Sequence, residues 1–377
     1  MSIHCAILFY FLIIQKCDAN ESVFINTTLA TESVQFDPDD PAIWINKKTP
    51  ELSLLFGTDK IETVGALFVY YLNGTIKQII QNLDRPNNVD VEYGFNKMDI
   101  VVLTERRKQQ LRIYAIDDDK LQLYEVGGNT QVFEDRVGEN AAPMGIGLYK
   151  RPSDGEIFAI VSSKTGPKTG YLGQYRLKWN EKSQKIDLEF VRYFGDFYEN
   201  EIESIVVDDQ LGYVYYSDEG YGIRKYNVCP DNPQKMQLGL INTTNIWLGD
   251  SEGLAIYDTG NNDGYLIITD QIETGSIFRI YERQSSNSYL KSIRTNAIST
   301  DGLDVTSHYL NAQFPNGMMI AMNKNGNNFL LFDWRNIAHI GDLRLNLNNT
   351  ANTLYSFFTI ITSFLLLINY YFSSLIS

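Results

Sequence analysis

Residues 264–282 read GYLIITDQIETGSIFRIYE, which is two short apolar stretches separated by a turn of polar residues and glycine. This pattern predicts a β-hairpin. A similar pair occurs six times, and the second stretches follow one another at intervals of about 45 to 60 residues. The second stretches are ALFVYYL (66–72), LRIYAID (111–117), LGQYRLK (172–178), GIRKYNV (222–228), SIFRIYE (276–282) and NFLLFDW (328–334).

A partner stretch precedes each of these. The six partners read LSLLFGT, DIVVLTE, IFAIVSS, GYVYYSD, GYLIITD and GMMIAMN. Six similar hairpins at this spacing are typical of the blades of a β-propeller. The alternative is a pair of β-sandwiches, but sandwiches rarely repeat one hairpin six times. We therefore predict an all-β fold, a six-bladed β-propeller, as one domain over residues 20–345.

Composition limits the kinds of partner. The chain has 377 residues, with 46 Asp and Glu against 32 Lys and Arg, so its formal net charge is −14. We expect no nucleic-acid partner, because nucleic-acid binding needs Lys and Arg to replace phosphate counterions. With only 3 Cys and 3 His, a disulfide scaffold and a Cys-rich zinc module are excluded. A bound metal is expected to be a hard cation held by oxygen ligands.

The two ends of the chain read as processing segments. Residues 3–14 are apolar and are followed by Cys17-Asp18-Ala19, which predicts a secretory signal peptide over residues 1–19. The alternative is an anchor that stays in place. Residues 354–376 are apolar and uncharged, with no basic residue after them. Residues 346–377 are therefore interpreted as a GPI signal or a tail anchor.

These segments predict a secreted protein or one held at the cell surface, and membrane contact only through the tail or its GPI replacement. Glycosylation sequons support export. They occur at Asn20, Asn26, Asn73, Asn242 and Asn348.

One pentapeptide is misleading. Residues 249–253 read GDSEG, which matches the G-x-S-x-G motif of serine hydrolases. That motif provides a nucleophile only at a turn from a strand to a helix. The next residues are LAIYDTG, a strand pattern, so we interpret Ser251 as a structural residue.

Acidic residues recur in pairs near the hairpins. Each pair alone would be a solvated turn. Equivalent positions of successive propeller blades meet around one axis, however, where the carboxylates would repel one another unless cations lay among them. Oxygen ligands select Ca²⁺ or Mg²⁺. The pairs fall within residues 37–41, 201–203, 218–219, 250–252 and 301–304.

Three basic residues, Lys60, Arg106 and Lys164, each follow a predicted strand of an early blade. They are expected to face the same end of the propeller as the acids. Cations beside a basic flank would form a site for a polyanion such as a phosphate ester.

Two longer motifs identify a family. Residues 36–44, FDPDDPAIW, and residues 85–90, RPNNVD, resemble motifs of the β-propeller phytases, the calcium-dependent alkaline phytases. The similarity continues in order over about residues 30–340. The further matching segments are IYAID (113–117), DSEGL (250–254), IYERQ (280–284) and TDGLDV (300–305).

The resemblance implies a secreted or surface-anchored 3-phytase, a phosphoric monoester hydrolase. Its substrate would be phytate, myo-inositol hexakisphosphate, or a related inositol phosphate. Several Ca²⁺ ions would lie in the central channel, and a metal-activated water would attack without a covalent enzyme intermediate. A monomer is expected.

The resemblance also assigns site residues by position. The catalytic residues would be Asp39, Glu203, Glu252 and Asp301. The ligands of the catalytic calcium ions would be Asp39, Glu203, Glu219, Asp250, Glu252, Gln271 and Asp301. A structural calcium site would involve Asp40, Pro41 and Val89, and the substrate phosphates would bind Lys60, Arg106 and Lys164.

Three positions depart from the family pattern. Met144 replaces a tyrosine, Glu105 replaces the asparagine before Arg106, and Ile61 replaces a basic residue. These changes leave open a second interpretation, a calcium-binding propeller module with little or no turnover. A propeller lactonase or esterase is a third, which the motifs at residues 36–44 and 85–90 disfavour.

Overall fold

The computed structural model describes residues 23–232, 234–243, 247–284 and 286–346. The predicted signal peptide and all of the predicted tail except Asn346 lie outside these residues. Within the described part of the chain, no helix is long and apolar enough to cross a membrane.

In the described part of the chain, twenty-five strands form six sheets, of which five contain four strands and one contains five. The first strands are β1 (Val23–Ile25) and β2 (Leu29–Ala30). Blade 1 is β3 (Pro38–Trp44), β4 (Leu54–Asp59), β5 (Gly65–Tyr71) and β6 (Ile76–Leu83). Blade 2 is β7 (Pro86–Phe95), β8 (Met98–Glu105), β9 (Gln110–Asp117) and β10 (Gln122–Glu125). Blade 3 is β11 (Pro143–Lys150), β12 (Ile157–Ser163), β13 (Thr169–Asn180) and β14 (Lys185–Asp196).

The remaining three blades follow the same plan. Blade 4 is β15 (Ile205–Asp208), β16 (Tyr213–Asp218), β17 (Gly222–Asn227) and β18 (Gly239–Asn242). Blade 5 is β19 (Asp250–Gly260), β20 (Asp263–Gln271), β21 (Ile277–Glu282) and β22 (Tyr289–Thr295). Blade 6 is β23 (Leu303–Thr306), β24 (Met318–Asn323) and β25 (Asn328–Asp333), completed by β2.

The N-terminal strands close the ring of blades. β2 pairs antiparallel with β25 and supplies the fourth strand of blade 6, while β1 pairs parallel with β22 of blade 5. The first strand of each blade contacts the first strand of the next, and β23 contacts β3. The predicted six-bladed propeller is confirmed, and these six first strands line its central channel.

The predicted hairpins are the second and third strands of each blade. Several boundaries differ by one or two residues; for example, residues 328–334 were predicted as a strand, but β25 ends at Asp333. The Asp333 carboxylate there accepts a hydrogen bond from the backbone N–H of Arg335 and caps a helix, α1 (Trp334–Gly341). The Trp334 ring stacks on Tyr257 with centroids 3.8 Å apart, so α1 closes the apolar core under blades 5 and 6.

Sheets pack face to face around the ring. Between blades 1 and 2, for example, Trp44 and Phe56 lie in one buried cluster with Val101 and Leu103. Burying a side chain of this size contributes about 2 kcal/mol. The apolar pattern of the strands thus fixes the angle between neighbouring blades.

Four of the six inner strands share one irregularity. The pairing register shifts between residues 38 and 41 of β3, 86 and 89 of β7, 143 and 146 of β11, and 251 and 254 of β19. Such a β-bulge bends a strand and re-aims side chains. The bulged residues meet at one end of the channel, which we call the mouth.

The C-terminal segment lies at the opposite end. The backbone N–H of Arg344 donates to the Tyr265 hydroxyl at 2.7 Å, and the side-chain amide of Asn346 donates to the Asp258 carbonyl at 3.0 Å. Asp258 lies near the end of β19 opposite the register shift at residues 251–254. The described chain therefore leaves the propeller on the face away from the mouth.

Candidate active site

One residue from each blade occupies an equivalent position at the mouth, beside the bulge of the inner strand or just before that strand. We call these six the inner ring. Five of them offer a side-chain oxygen, and Met144 of blade 3 does not. The inner ring consists of Asp39, Asn87, Met144, Glu203, Glu252 and Asp301.

Lys60 lies among the inner-ring carboxylates. Its Nζ is 2.5 Å from Asp39 Oδ1 and 3.4 Å from the nearest oxygen of both Glu203 and Asp301. Burial alone would lower the pKa of Lys60, but the three carboxylates raise it well above its usual range. Lys60 is therefore charged and partly neutralises the ring.

Glu203 is held from two sides. The Asn87 Nδ2 donates to Glu203 Oε1 at 3.0 Å. On the other side, a Cβ at Gly145 would lie 1.8 Å from the Glu203 carbonyl oxygen, so only glycine lets β11 approach so closely. Burial would raise the pKa of Glu203, but Lys60 and Asn87 bring it below its ordinary value.

A second set of residues lies at the end of the second strand of each blade or directly after it, and we call it the outer ring. The backbone N–H of five members donates to a carbonyl of the loop before the inner strand, for example Lys60 to Asp37 at 2.7 Å and Arg106 to Arg85 at 3.0 Å. The sixth, Gln271, pairs with Asp250 in the sheet. The outer ring consists of Lys60, Arg106, Lys164, Glu219, Gln271 and Lys324.

The residue before each outer-ring position has another task. Asp59 accepts backbone N–H groups of residues 35–37, Asp218 accepts that of Tyr198, and Asp270 accepts those of residues 248 and 249. These carboxylates hold the mouth loops in place. The acidic pair at 218–219 is therefore divided, since Asp218 fixes a loop and only Glu219 faces the mouth.

Three glutamates form a compact cluster. Carboxylate oxygens of Glu203, Glu219 and Glu252 all lie within 4.8 Å of one another. Burial, followed by the charge of Glu203 and Asp250, raises the pKa of Glu219 to about 8. Burial, followed by Glu219 and Glu203, also raises the pKa of Glu252 well above its usual range. The cluster therefore needs positive charge to ionise fully.

These residues fit a hard cation. Every donor in the cluster is an oxygen, as Ca²⁺ and Mg²⁺ prefer. The buried Asn87 Oδ1 beside it has no hydrogen-bond partner in the protein, and such a group is costly unless a ligand, ion or water satisfies it.

The other predicted metal ligands lie at two places. Gln271 Nε2 donates to Asp301 Oδ1 at 2.5 Å at the mouth, where Asp250 is exposed. Asp40, Pro41 and Val89 instead line a cavity of about 50 Å³ in the channel. Burial, the first of several causes, raises the pKa of Asp40 well above its usual range. The structure thus separates the predicted structural site from the mouth, and both ligand sets stay predictions.

The two remaining predicted phosphate ligands lie on the rim. The buried Arg106 donates through Nη2 to Glu139 Oε2 at 3.1 Å, and Lys164 forms an ion pair with Glu201. Burial, followed by the charge of Arg106, lowers the pKa of Lys164. An anion at the rim could replace either carboxylate partner.

Ser251 has no nucleophile geometry. It is buried on β19, which continues to Gly260, and its Oγ lies 2.6 Å from the Ser217 Oγ. The strand prediction for this segment is confirmed, and the chain has no elbow there.

Sequence reasoning missed two mouth residues, Asn87 and Lys324. Asn87 lies in the RPNNVD motif, but its side-chain amide is uncharged and so did not belong to the pattern of acidic and basic residues. Lys324 follows the GMMIAMN stretch just as Lys60 follows LSLLFGT and Asp59, so the hairpin alignment itself could have revealed it.

Clustered carboxylates and a basic rim at one mouth of a propeller are the residue types that cation-assisted hydrolysis of a phosphate ester would use. The family model described as Phytase matches residues 10–353. The chain belongs to this family, the β-propeller phytases, and is a 3-phytase-like phosphoric monoester hydrolase.

Two similar proteins illustrate the match. A 3-phytase of Bacillus subtilis (strain 168) is 31% identical over 328 residues, covering 81% of this chain and 81% of that protein. The PQQ-bound aldose sugar dehydrogenase of Streptomyces coelicolor is similar in structure with a TM-score of 0.47 and 8% identity, over 81% of this chain and 97% of that chain. The second likeness is too weak to inform the function.

Proposed function

We propose that the protein is a calcium-dependent phytase that releases phosphate from myo-inositol hexakisphosphate or related inositol phosphates outside the cell. The observation that supports this most directly is the cluster of Glu203, Glu219 and Glu252 beside Lys60. Calcium ions at such a cluster would neutralise charge next to the substrate and activate water for attack on phosphorus.

The residues of the chain have separate tasks in this proposal. Asp39, Glu203, Glu252 and Asp301 hold the cations. All of them except Glu252 also form ion pairs with Lys60 and fix its position. Arg106 and Lys164 bind phosphate oxygens, because charge-assisted hydrogen bonds to phosphate are strong and directional. Met144 is buried at 2% exposure and leaves five oxygen-bearing residues in the inner ring.

Phosphate release by the purified protein, measured with calcium and with a chelator, tests the proposal. Release that requires calcium supports it. If phytate binds without any release, the protein is the calcium-binding module with little turnover.

We expect replacement of Arg106 by glutamine to raise KM for phytate about tenfold or more, since a hydrogen bond to a charged group contributes about 1.5–3 kcal/mol. Steady-state kinetics measure the change. Arg335→Gln is the matched control, because Arg335 lies on α1 at the end away from the mouth. Equal kinetics for both variants would reassign Arg106 to a structural role.

Export and anchoring form a further part of the proposal, supported by the apolar segments at 3–14 and 354–376. Phosphatidylinositol-specific phospholipase C is expected to release the protein from intact cells. A protein that stays on the membrane, with residues 354–376 detected by mass spectrometry, would show a retained tail anchor instead.

A further inference from the structure

We propose that Lys324 on blade 6 is a fourth phosphate-binding residue. The mouth would then hold an inositol polyphosphate through a basic arc over four consecutive blades, 6, 1, 2 and 3. This inference rests on the proposed function and deepens it, because it names a residue that would make the enzyme prefer substrates with several phosphate groups.

The backbone places Lys324 in the same position as the predicted phosphate ligands. Its N–H donates to the Ile298 carbonyl at 3.0 Å, three residues before the inner-ring residue of blade 6. The acceptors of the predicted phosphate ligands lie two residues before the inner-ring residues of blades 1, 2 and 3. The match to Arg106 extends further. Each of the two residues begins a single 3₁₀ turn, Arg106–Lys108 and Lys324–Gly326, and each turn ends at a left-handed residue, Gln109 at φ 53° and Asn327 at φ 46°.

The side chain of Lys324 contacts the segment of blade 1 that also holds the backbone of Lys60. It forms an ion pair with the carboxylate of Asp37, and the carbonyl of Asp37 accepts the backbone N–H of Lys60 at 2.7 Å. Asp37 is therefore held by both lysines at once. Asp37 thus links the Lys324 side chain of blade 6 to the Lys60 backbone of blade 1 at the mouth.

Lys324 is also paired in the way expected of a rim residue. Each rim cation forms an ion pair with a carboxylate: Arg106 with Glu139, Lys164 with Glu201, and Lys324 with Asp37. Its side chain is 51% exposed, compared with 14% for Lys60, so a ligand can reach it from solvent. Exposed ion pairs contribute little to stability, and a phosphate group can therefore replace Asp37 at small cost.

The outer ring is divided by charge. Blades 6, 1, 2 and 3 contribute Lys324, Lys60, Arg106 and Lys164, whereas blades 4 and 5 contribute Glu219 and Gln271. A substrate with one phosphate can occupy only part of the arc. A polyphosphate can contact several of these basic residues together, and Lys324 would act mainly in binding such substrates.

The test compares Lys324→Gln with Lys324→Arg. We expect Lys324→Gln to raise KM for myo-inositol hexakisphosphate about fivefold with a much smaller change in kcat, since one charge-assisted contact is lost. The effect on p-nitrophenyl phosphate should be clearly smaller. Lys324→Arg should restore most of the binding. A purely structural lysine would give no such difference between the two substrates.

Asp37→Asn should change KM for the hexakisphosphate in the opposite direction. Removing the competing carboxylate charge is expected to lower KM for the hexakisphosphate, and this gain should disappear in the Asp37→Asn, Lys324→Gln double variant, because coupled residues are not additive. Lys108→Gln is the control for general charge effects: its side chain is 57% exposed, and its Nζ lies 3.5 Å from Asp84.

The inference is overturned if Lys324→Gln leaves KM for the hexakisphosphate unchanged, if Lys108→Gln raises it as much, or if the gain from Asp37→Asn persists in the double variant. The proposed function fails separately: in that case Arg106→Gln also leaves KM unchanged, or no calcium-dependent release occurs.

Discussion

Glu252→Gln is expected to lower phytate hydrolysis by at least about a hundredfold, because it keeps the shape of the side chain but removes a charge needed to hold cations. Glu252 is a member of the three-glutamate cluster, with its carboxylate within 4.8 Å of those of Glu203 and Glu219. The measurement is kcat/KM at saturating calcium. The melting temperature, measured alongside, shows whether the variant is folded.

Ser251→Ala is the matched control, one residue away on the same strand. Ser251 faces Ser217 and not the cluster, so the variant should lose at most about 1 kcal/mol of transition-state or folding free energy, the usual net value of one hydrogen bond. An inactive Ser251→Ala enzyme beside an active Glu252→Gln enzyme would overturn the cation mechanism and support a serine hydrolase.

Removal of calcium is expected to abolish activity and lower the melting temperature. Ions that bind only the folded protein stabilise it by mass action, about 2.7 kcal/mol for one site at a hundredfold excess over Kd. Thermal unfolding and phosphate release, each with calcium, with EDTA and after calcium is added back, measure both effects. If EDTA changes neither, the acidic mouth does not depend on cations.

The pH dependence of this stabilisation has a defined sign. Burial raises the pKa of Glu219 in the metal-free protein to about 8, so the folded state binds more protons than the unfolded state between about pH 4.5 and 8. The stability of the metal-free protein should therefore fall as pH rises through this window. Calcium needs the ionised carboxylate, so the gain in melting temperature on adding calcium should increase from pH 6 to pH 9.

The fold could be predicted because its signal is repeated and local. Each hairpin stretch, such as 264–270, is a short apolar segment, and a similar segment recurs in every blade, so six weak indications agreed. The closing strands β1 and β2 could not be found in this way. They are three and two residues long, and their partner strands lie about 270 and 300 residues later in the chain.

The candidate site was predictable only as a set of residue types. Sequence placed carboxylates near the ends of strands, but which of them face the mouth depends on β-bulges that shift the register of the inner strands. Asp218 and Glu219 are neighbours in sequence, yet one binds a loop backbone and the other joins the cluster. Asn87 has no charge to attract notice and becomes visible only through its contact with Glu203.

The position of the C-terminal segment has a practical consequence. Arg344 and Asn346 are hydrogen-bonded to the ends of blade 5 that lie away from the mouth. A solid support, a fused protein or a bead coupled after this segment would therefore stand behind the propeller. Bulky forms of the substrate, such as phytate complexed with protein or mineral, could then approach the mouth from the free side.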